Sequence, residues 1–234
     1  MVRAAQGRSS AGWQAMTAMA AMLFGCLPLQ AAELEFKRAG GLSLSRFSVP
    51  PGMVTIPEAA LSLEDRVLAL FGIGFVYRMT PRFSLDVSGQ YFRKGTHVDY
   101  RLYGQPVGKY IYDLRVLSLP VCLRYGFFPK STPYVLGGFE ISHVVSHEMK
   151  YYPDGQMSGL AHKLINSTRK FDFALVIGAG GELVFGRFVI FTEIRWYSGL
   201  VNISRSIENY PVIKTRVLSF QFGYRTKRKP FPFD

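Results

Sequence analysis

In Phe83-Ser84-Leu85-Asp86-Val87-Ser88-Gly89-Gln90-Tyr91, apolar and polar side chains alternate along the chain. The large apolar side chains fall on one face of an extended strand, and serine, aspartate and glutamine fall on the other. The segment 188–196 repeats the pattern, with isoleucine and tryptophan on one face and Glu193 and Arg195 on the other. A period of two residues indicates strands with one apolar and one polar face.

Working outward from this stretch, we predict eight strands, and no segment after residue 32 shows a helical stripe. Their ranges are 34–47, 66–78, 83–91, 112–127, 134–145, 171–185, 188–196 and 212–225. Most are longer than the roughly 5 to 6 residues that are usual in soluble proteins.

Connections between these strands alternate between tight and long. The tight ones are 80–82, 129–132 and 186–187, and the long ones are 48–65, 95–110, 146–170 and 202–210. Short turns at one end and long loops at the other are typical of transmembrane β-barrels, in which the short turns are periplasmic. With an even strand count, both termini are then expected on the periplasmic side.

Composition agrees with a membrane protein that crosses by strands. The chain of 234 residues is 48% hydrophobic, 15% aromatic and only 19% charged, with a mean hydropathy of +0.11. This excludes intrinsic disorder. After residue 32 no stretch of 18 uncharged apolar residues occurs, which excludes a helical membrane protein.

We therefore predict an all-β fold, an eight-stranded antiparallel up-and-down transmembrane β-barrel. In lipid the apolar faces point outward. The expected outward residues are Phe71, Ile73, Phe75, Leu85, Val87, Leu119, Val121, Leu123, Val135, Phe139, Ile141, Phe173, Leu175, Ile177, Leu183, Ile190, Ile194, Leu218, Phe220 and Phe222. Aromatic residues near strand ends are expected in the interfacial girdles: Tyr77, Tyr91, Tyr112, Tyr125, Phe127, Tyr134, Trp196 and Tyr224. The alternative is an ordinary aromatic-rich core.

The amino terminus predicts a signal peptide over residues 1–31. Arg3 and Arg8 precede an apolar run that ends at Pro28 and the small Ala31 and Ala32. Cys26 could alternatively be lipidated, since it follows Leu23-Phe24-Gly25 as in a lipobox. The expected domains are the signal peptide, a barrel over 32–226 and a short basic and aromatic periplasmic tail over 227–234. With Cys26 removed, Cys122 would be the one remaining thiol, so no intramolecular disulfide is expected.

Several motifs resemble one known family. The runs 117–125 (LSLPVCLRY) and 132–138 (TPYVLGG) are similar to the outer-membrane β-barrel domain of PorT-like proteins from Bacteroidetes. The runs 178–182 (GAGGE), 193–203 (EIRWYSGLVNI) and 218–224 (LSFQFGY) resemble later strands of that domain, and the resemblance covers about 35–226.

This resemblance implies an eight-stranded barrel in the outer membrane. Some members of the family belong to type IX secretion and gliding machinery. The family often has Glu where Ser118 stands, so one lumen charge of the family is missing here.

Strand parity also predicts the contents of the lumen, which in an eight-stranded barrel is just wide enough for side chains. Arg124, Glu140, Glu182, Glu193 and Arg195 point inward and are expected to form a Glu/Arg network, with Asp86, Gln90 and Gln221 beside them. Pro120 is expected at a bulge, because proline removes a ladder hydrogen bond.

We expect no enzyme, cofactor or metal site. His143, Ser146, His147 and Glu148 are the candidates for a lipid A-modifying activity, but their spacing matches no nucleophile with its base. The Gly178–Gly181 run has no following helix, so it is not a nucleotide loop.

The net charge of +12 is spread over the long loops. We expect these basic residues to face the phosphates of lipopolysaccharide rather than nucleic acid: Arg93, Lys94, Arg101, Lys109, Lys150, Lys163, Arg169, Lys170 and Arg205. Phe220, Phe222 and Tyr224 of the last strand are expected to be the signal for the barrel-assembly machinery.

The leading hypothesis is a non-enzymatic outer-membrane barrel that acts as a structural or interaction component, with secretion-system components among its partners. The alternatives are a soluble lipocalin-like barrel that binds an apolar ligand and a lipid A-modifying outer-membrane enzyme.

Overall fold

The structure is a computed structural model, and it describes residues 33–48, 59–128, 133–153, 160–204 and 213–227. The predicted signal peptide, Cys26, Arg205 and tail residues 228–234 lie outside the described residues. No helix among the described segments is long and apolar enough to cross a membrane.

Nine strands and one short 3₁₀ helix make up the described chain. The strands are β1 (Glu33–Ser48), β2 (Ala59–Arg78), β3 (Phe83–Leu102), β4 (Gln105–Gly126), β5 (Tyr134–Pro153), β6 (Leu160–Lys163), β7 (Phe171–Phe185), β8 (Phe188–Gly199) and β9 (Lys214–Lys227). The 3₁₀ helix is Ile165–Ser167.

Eight of these strands close into a ring, which confirms the predicted fold class. Each strand pairs antiparallel with its neighbour in the order β1-β2-β3-β4-β5-β7-β8-β9, and β9 returns to β1. The ninth strand, β6, has four residues and pairs with β5 outside the ring. We call the end with the tight turns, where β1 begins and β9 ends, the short-turn end, and the opposite end the long-loop end.

The outer surface of the ring is apolar, as the alternation predicts. None of the twenty residues expected to face outward is buried, and Phe71, Phe139 and Phe222 expose 62%, 62% and 65% of their surface. A soluble protein rarely exposes a continuous apolar area of this size. The faces are therefore those of a membrane barrel, and the soluble lipocalin-like alternative, which needs the apolar face inside, is wrong.

Outward arginines on four of the eight strands lie at the long-loop edge of the apolar band. Arg46 lies directly opposite Arg216 across β1 and β9, and Arg93 lies opposite Arg115 across β3 and β4. We call these four residues the collar. Residues of β2 to β5 beyond the collar lie outside the membrane-spanning segments.

The second long connection is not a loop, and the prediction for 95–110 was wrong. β3 and β4 stay paired up to Leu102 and Gln105, and only Tyr103 and Gly104 form the turn. Their φ angles of 47° and 77° are both left-handed, as in the tight hairpin turns whose twist matches that of the strands. Beyond the collar neither face meets lipid, so the strict apolar and polar alternation disappears from the sequence while the ladder continues.

The bulge predicted at Pro120 was also wrong. Pro120 pairs in regular register with Glu140 on β5, and the shift in that ladder lies at Arg115/Val116. On its other side, β4 pairs with β3. The pairs Val87–Val121 and Gln90–Ser118 have the same register, and the two positions between them on each strand are unpaired. The missing N–H of proline is therefore accommodated by an interrupted ladder, without an inserted residue.

Candidate functional site

The main polar site is a network of buried charges inside the barrel at its short-turn side. Lys37 Nζ lies 2.7 Å from Asp86 Oδ2 and 3.2 Å from Glu193 Oε1. Arg195 donates to Glu193 at 2.7 Å and to Asp86 at 2.9 Å. None of these four side chains is more than 1% exposed, so two cations and two carboxylates join β1, β3 and β8 across the lumen.

The network continues toward the short-turn end through two further carboxylates. Glu182 accepts from Arg124 at 3.3 Å and also from Arg225. Glu35 accepts from Arg225 at 2.6 Å and from Arg78 at 3.2 Å. We call these nine charged residues the turn-side network: Glu35, Lys37, Arg78, Asp86, Arg124, Glu182, Glu193, Arg195 and Arg225.

A second group, the Lys94 cluster, comprises Lys94, Glu140 and Asp172. Lys94 Nζ lies 2.7 Å from Glu140 Oε1 and 3.2 Å from Asp172 Oδ2, with all three side chains unexposed. Ser142 donates to Glu140 at 2.5 Å, and Thr215 donates to Asp172 at 3.1 Å. The expectation that Lys94 faces lipopolysaccharide was therefore wrong, because the strand continues through this position and turns Lys94 inward.

Together the two groups contain six cations and six carboxylates, so these described charges balance one another. A buried charge without a partner costs several kcal/mol, while a paired one roughly breaks even with an apolar replacement. The ion pairs therefore offset the cost of burying these charges rather than adding much net stability.

Strict alternation would make every lumen residue polar, but part of the lumen is apolar. Phe92, Leu114, Val116, Tyr197 and Val217 are buried side by side in one apolar cluster. Loop residues cover it from the long-loop side: Ile165 and Ile213 pack on the cluster, and Ile203 belongs to it. Asn202 holds these loops together by accepting from the backbone N–H groups of Ser204 at 3.0 Å and Ile213 at 2.8 Å.

The structure places all five predicted lumen charges on the inner faces of their strands. Arg124, Glu182, Glu193 and Arg195 belong to the turn-side network, where Glu182 is the most exposed of the four at 13%, and Glu140 lies in the separate Lys94 cluster. Sequence reasoning missed the other lumen charges: Glu35, Lys37, Arg78, Lys94, Asp172 and Arg225. The same alternation, applied to β1, would have predicted that Glu35 and Lys37 point inward, since they alternate with the outward Leu34 and Phe36.

Two aromatic residues expected in the girdles are inside instead. Tyr134 is 4% exposed and donates its hydroxyl to Glu193 at 2.7 Å. Tyr112 packs against the apolar cluster. Phe220, Phe222 and Tyr224, the predicted assembly signal, all face outward on β9.

The structure does not assemble the enzyme candidates into a site. His143 faces outward against Phe171, with ring centroids 5.3 Å apart. Ser146 donates to Glu148 at 3.3 Å. His147 points inward, and its Nδ1 lies 2.7 Å from the hydroxyl of Thr168.

His147 lies on β5 beyond the collar, in apolar surroundings. Thr168 donates its hydroxyl proton to the Leu164 carbonyl at 2.7 Å, so the His147 Nδ1 carries the hydrogen toward Thr168. The Nε2 atom is buried with no partner among the described residues. Burial lowers the pKa of His147 to about 4, and the nearby Asp113 carboxylate opposes this shift only in part.

Comparison with known proteins identifies the family. The model of the outer membrane protein beta-barrel domain matches residues 6–205. The chain belongs to this family. A bacterial outer-membrane location follows for the barrel. Among curated proteins, no sequence match was found.

Solved structures similar to this outer membrane barrel share little sequence with it. Ail of Yersinia pestis, solved with the heparin analogue sucrose octasulfate, is 14% identical over 82% of this chain and 99% of its own, with a TM-score of 0.40. OprG of Pseudomonas aeruginosa is 12% identical over 84% and 96%, with a TM-score of 0.45. Neisserial surface protein A is 14% identical over 82% and 97%, with a TM-score of 0.41.

Proposed function

We propose that this outer membrane barrel is a non-enzymatic interaction component that presents an ordered extramembrane sheet to partner molecules. Its short-turn end and both termini face the periplasm, and the sheet projects from the cell surface. The observation that carries the proposal is the continuation of β2 to β5 beyond the collar.

The filled lumen supports a role other than transport. An eight-stranded barrel encloses no aqueous channel when side chains fill it. Here the turn-side network, the Lys94 cluster and the apolar cluster under the loops occupy it among the described residues. We expect no steady conductance in planar bilayers.

The projecting sheet is built as a defined surface. Tyr110 and Tyr151 stack across β4 and β5 with ring centroids 4.7 Å apart. Lys109 Nζ lies 3.5 Å from Glu64 and 3.6 Å from Asp99, which links three strands. Main-chain pairing and such cross-strand contacts order the sheet before any partner binds, which lowers the entropic cost of association.

The two central strands of the sheet, the ends of β3 and β4, can be removed without deleting a residue of the two lumen charge groups. Thr96 and Tyr112 lie directly opposite each other, so replacing residues 97–111 by Asn-Gly joins them through a two-residue hairpin turn. We expect crosslinking and pull-down from native outer membranes to recover partners with the full chain and to lose them with this variant. If the shortened barrel folds and recovers the same partners, the interaction role of the sheet is wrong.

Lipopolysaccharide is the proposed lipid partner of the collar. Like charges directly opposite each other destabilise a strand pair, and Arg46–Arg216 and Arg93–Arg115 are two such pairs at the edge of the apolar band. Arg46 and Arg93 each also contact a carboxylate, Asp65 and Asp113, and phosphates bound between the arginines would neutralise the positive charge that remains. We expect the double variant Arg46→Gln/Arg216→Gln to retain less lipopolysaccharide on purification than Arg187→Gln, which changes an exposed arginine of the β7–β8 turn.

The resemblance to PorT-like proteins supports a source in Bacteroidetes and a link to type IX secretion. The same crosslinking tests this link, since secretion components should be among the partners lost with the sheet. The non-enzymatic character is tested separately by the mass of lipid A after expression, which we expect to be unchanged.

A further inference from the structure

A small cavity opens at the short-turn end of the lumen. Its volume is about 30 Å³, and four arginines line it: Arg78, Arg82, Arg124 and Arg225. This is about the room that two water molecules need. Its acidic lining residue among those described is Glu182.

The strand register places three of the lining side chains in one row. Arg78 on β2 lies opposite Ser84 on β3, and Ser84 lies opposite Arg124 on β4. A hydroxyl group therefore stands between two guanidinium groups on the inner face. The Ser84 hydroxyl has no hydrogen-bond partner among the described residues, so it is free to donate to a ligand.

Arg82 is brought to the same cavity by the β2–β3 turn. The Thr80 hydroxyl accepts from the backbone N–H groups of Arg82 at 3.3 Å and Phe83 at 2.9 Å, which fixes the turn. Gly126 N–H donates to the Arg82 carbonyl at 2.8 Å and ties the turn to β4. In the described part of the chain, the Arg82 guanidinium has no ion-pair partner.

The local charge favours an anion. The turn-side network has five cations and four carboxylates, and the surplus carboxylate of the lumen lies in the separate Lys94 cluster. Half-exposed Glu33, 3.9 Å from Arg78, offsets part of this excess. Arg82 adds a further positive charge at the opening.

We propose that this cavity binds a phosphate-type oxyanion through Arg78, Arg82 and Arg124, with the Ser84 hydroxyl as an additional donor. Guanidinium groups recognise phosphate by paired charge-assisted hydrogen bonds. The phosphate is either free in the periplasm or the headgroup of a lipid in the adjoining leaflet. The site is independent of the proposed interaction role, which involves the other end of the barrel.

The test is calorimetric titration of inorganic phosphate into the full-length barrel in a zwitterionic detergent, freed of lipopolysaccharide, at low ionic strength. We expect Arg82→Gln to weaken phosphate binding about tenfold, the effect of losing one charged partner. Because Arg82 pairs with no described carboxylate, this variant should fold. The matched control is Arg187→Gln, which removes an exposed arginine from another short turn and should bind as the parent does.

Equal binding by the Arg82→Gln variant and the parent, or no phosphate binding by the parent at concentrations up to about 10 mM, overturns the proposal. A short-chain phosphatidic acid then identifies the source. Displacement of phosphate by this lipid assigns the site to a headgroup, and phosphate binding that the lipid leaves unchanged assigns it to the free anion.

Discussion

Lys94 on β3 and Glu140 on β5 form an ion pair of 2.7 Å inside the barrel, although β4 lies between their strands. Neither side chain is exposed, and Asp172 on β7 completes the group at 3.2 Å. One ammonium group thus joins three strands of the ring.

Replacing Lys94 by Met should destabilise the barrel strongly. Glu140 and Asp172 would be left buried without a cation, and breaking a buried pair costs about 3 to 5 kcal/mol. Unfolding in urea, followed by the mobility shift between folded and unfolded barrel on gels, measures the loss. Lys109→Met is the control, since Lys109 is 39% exposed in its pairs and such pairs contribute at most about 1 kcal/mol. Equal midpoints for the two variants would contradict a bracing role for the cluster.

Arg195→Ala should lower the heat stability of the barrel by a similar amount. The change leaves Glu193 and Asp86, both unexposed, with Lys37 as their main remaining cation. About 3 to 5 kcal/mol is expected for such an unbalanced buried group. The temperature at which the folded band disappears on gels is the measurement, with exposed Arg187→Ala as the control. If this unfolding temperature is the same in Arg195→Ala and in the parent, the turn-side network does not stabilise the barrel.

Strands and their outward faces can be predicted from the sequence only where a segment contacts lipid. Within the apolar band, one face meets acyl chains and the other the lumen, so alternation identifies the strands and their outward faces, as for Phe139 and Phe222. Beyond the collar, water or protein meets both faces, and the paired strands around His97 and Val98 have the composition of a loop.

At Tyr134 the aromatic-girdle rule and strand alternation predict opposite orientations, and the structure agrees with strand alternation. An aromatic residue near a strand end predicts an interfacial girdle, while the outward Val135 requires its neighbour to point inward. The structure follows parity, and the Tyr134 hydroxyl meets Glu193. Lys37 was missed because Gly40 and Gly41 interrupt the pattern of β1, and the ion pairs themselves depend on register, which a single sequence does not specify.

Acid should loosen the covering segment 160–168 through His147. Its folded pKa of about 4 lies below the unfolded value of 6.5, so the unfolded state binds more protons between these values. The contribution of His147 to the free energy of unfolding is therefore fully present above pH 6.5. It is lost as the pH drops toward 4, by roughly 3 kcal/mol in all. Leu164 N–H, which donates to the His147 carbonyl at 2.8 Å, should exchange faster at pH 4.5 than at pH 7.5 after correction for intrinsic rates.

The control for this pH effect is His147→Gln, which keeps a polar partner for Thr168 and does not titrate. Its corrected protection of Leu164 should vary little over the same range. A pH response as large as that of the parent chain would assign the effect to other groups.

The outward aromatics of β9 should matter for assembly beyond their contact with lipid. Phe220→Ala/Phe222→Ala should reduce the fraction of folded barrel in outer membranes several-fold, because these residues are the predicted signal on the last strand. Phe173→Ala/Phe139→Ala removes two equally lipid-facing phenylalanines from β7 and β5. If both double variants assemble equally well or equally poorly, the effect is general lipid contact and the signal lies elsewhere.

Two adjacent glycines on β5 should respond oppositely to alanine. A Cβ at Gly138 would overlap the Val121 carbonyl oxygen and come within 2.7 Å of the Cys122 Cα. Both are backbone atoms of β4 and cannot rotate away, so Gly138→Ala must push two paired strands apart.

At Gly137, which faces outward, the nearest atom to such a Cβ is the Val176 carbonyl oxygen at 4.0 Å, an ordinary contact. We expect Gly138→Ala to cost about 1 to 3 kcal/mol and Gly137→Ala to be neutral or slightly stabilising. Urea midpoints of the two variants check this directly, and equal midpoints would mean that β4 and β5 are not packed as closely as this register requires.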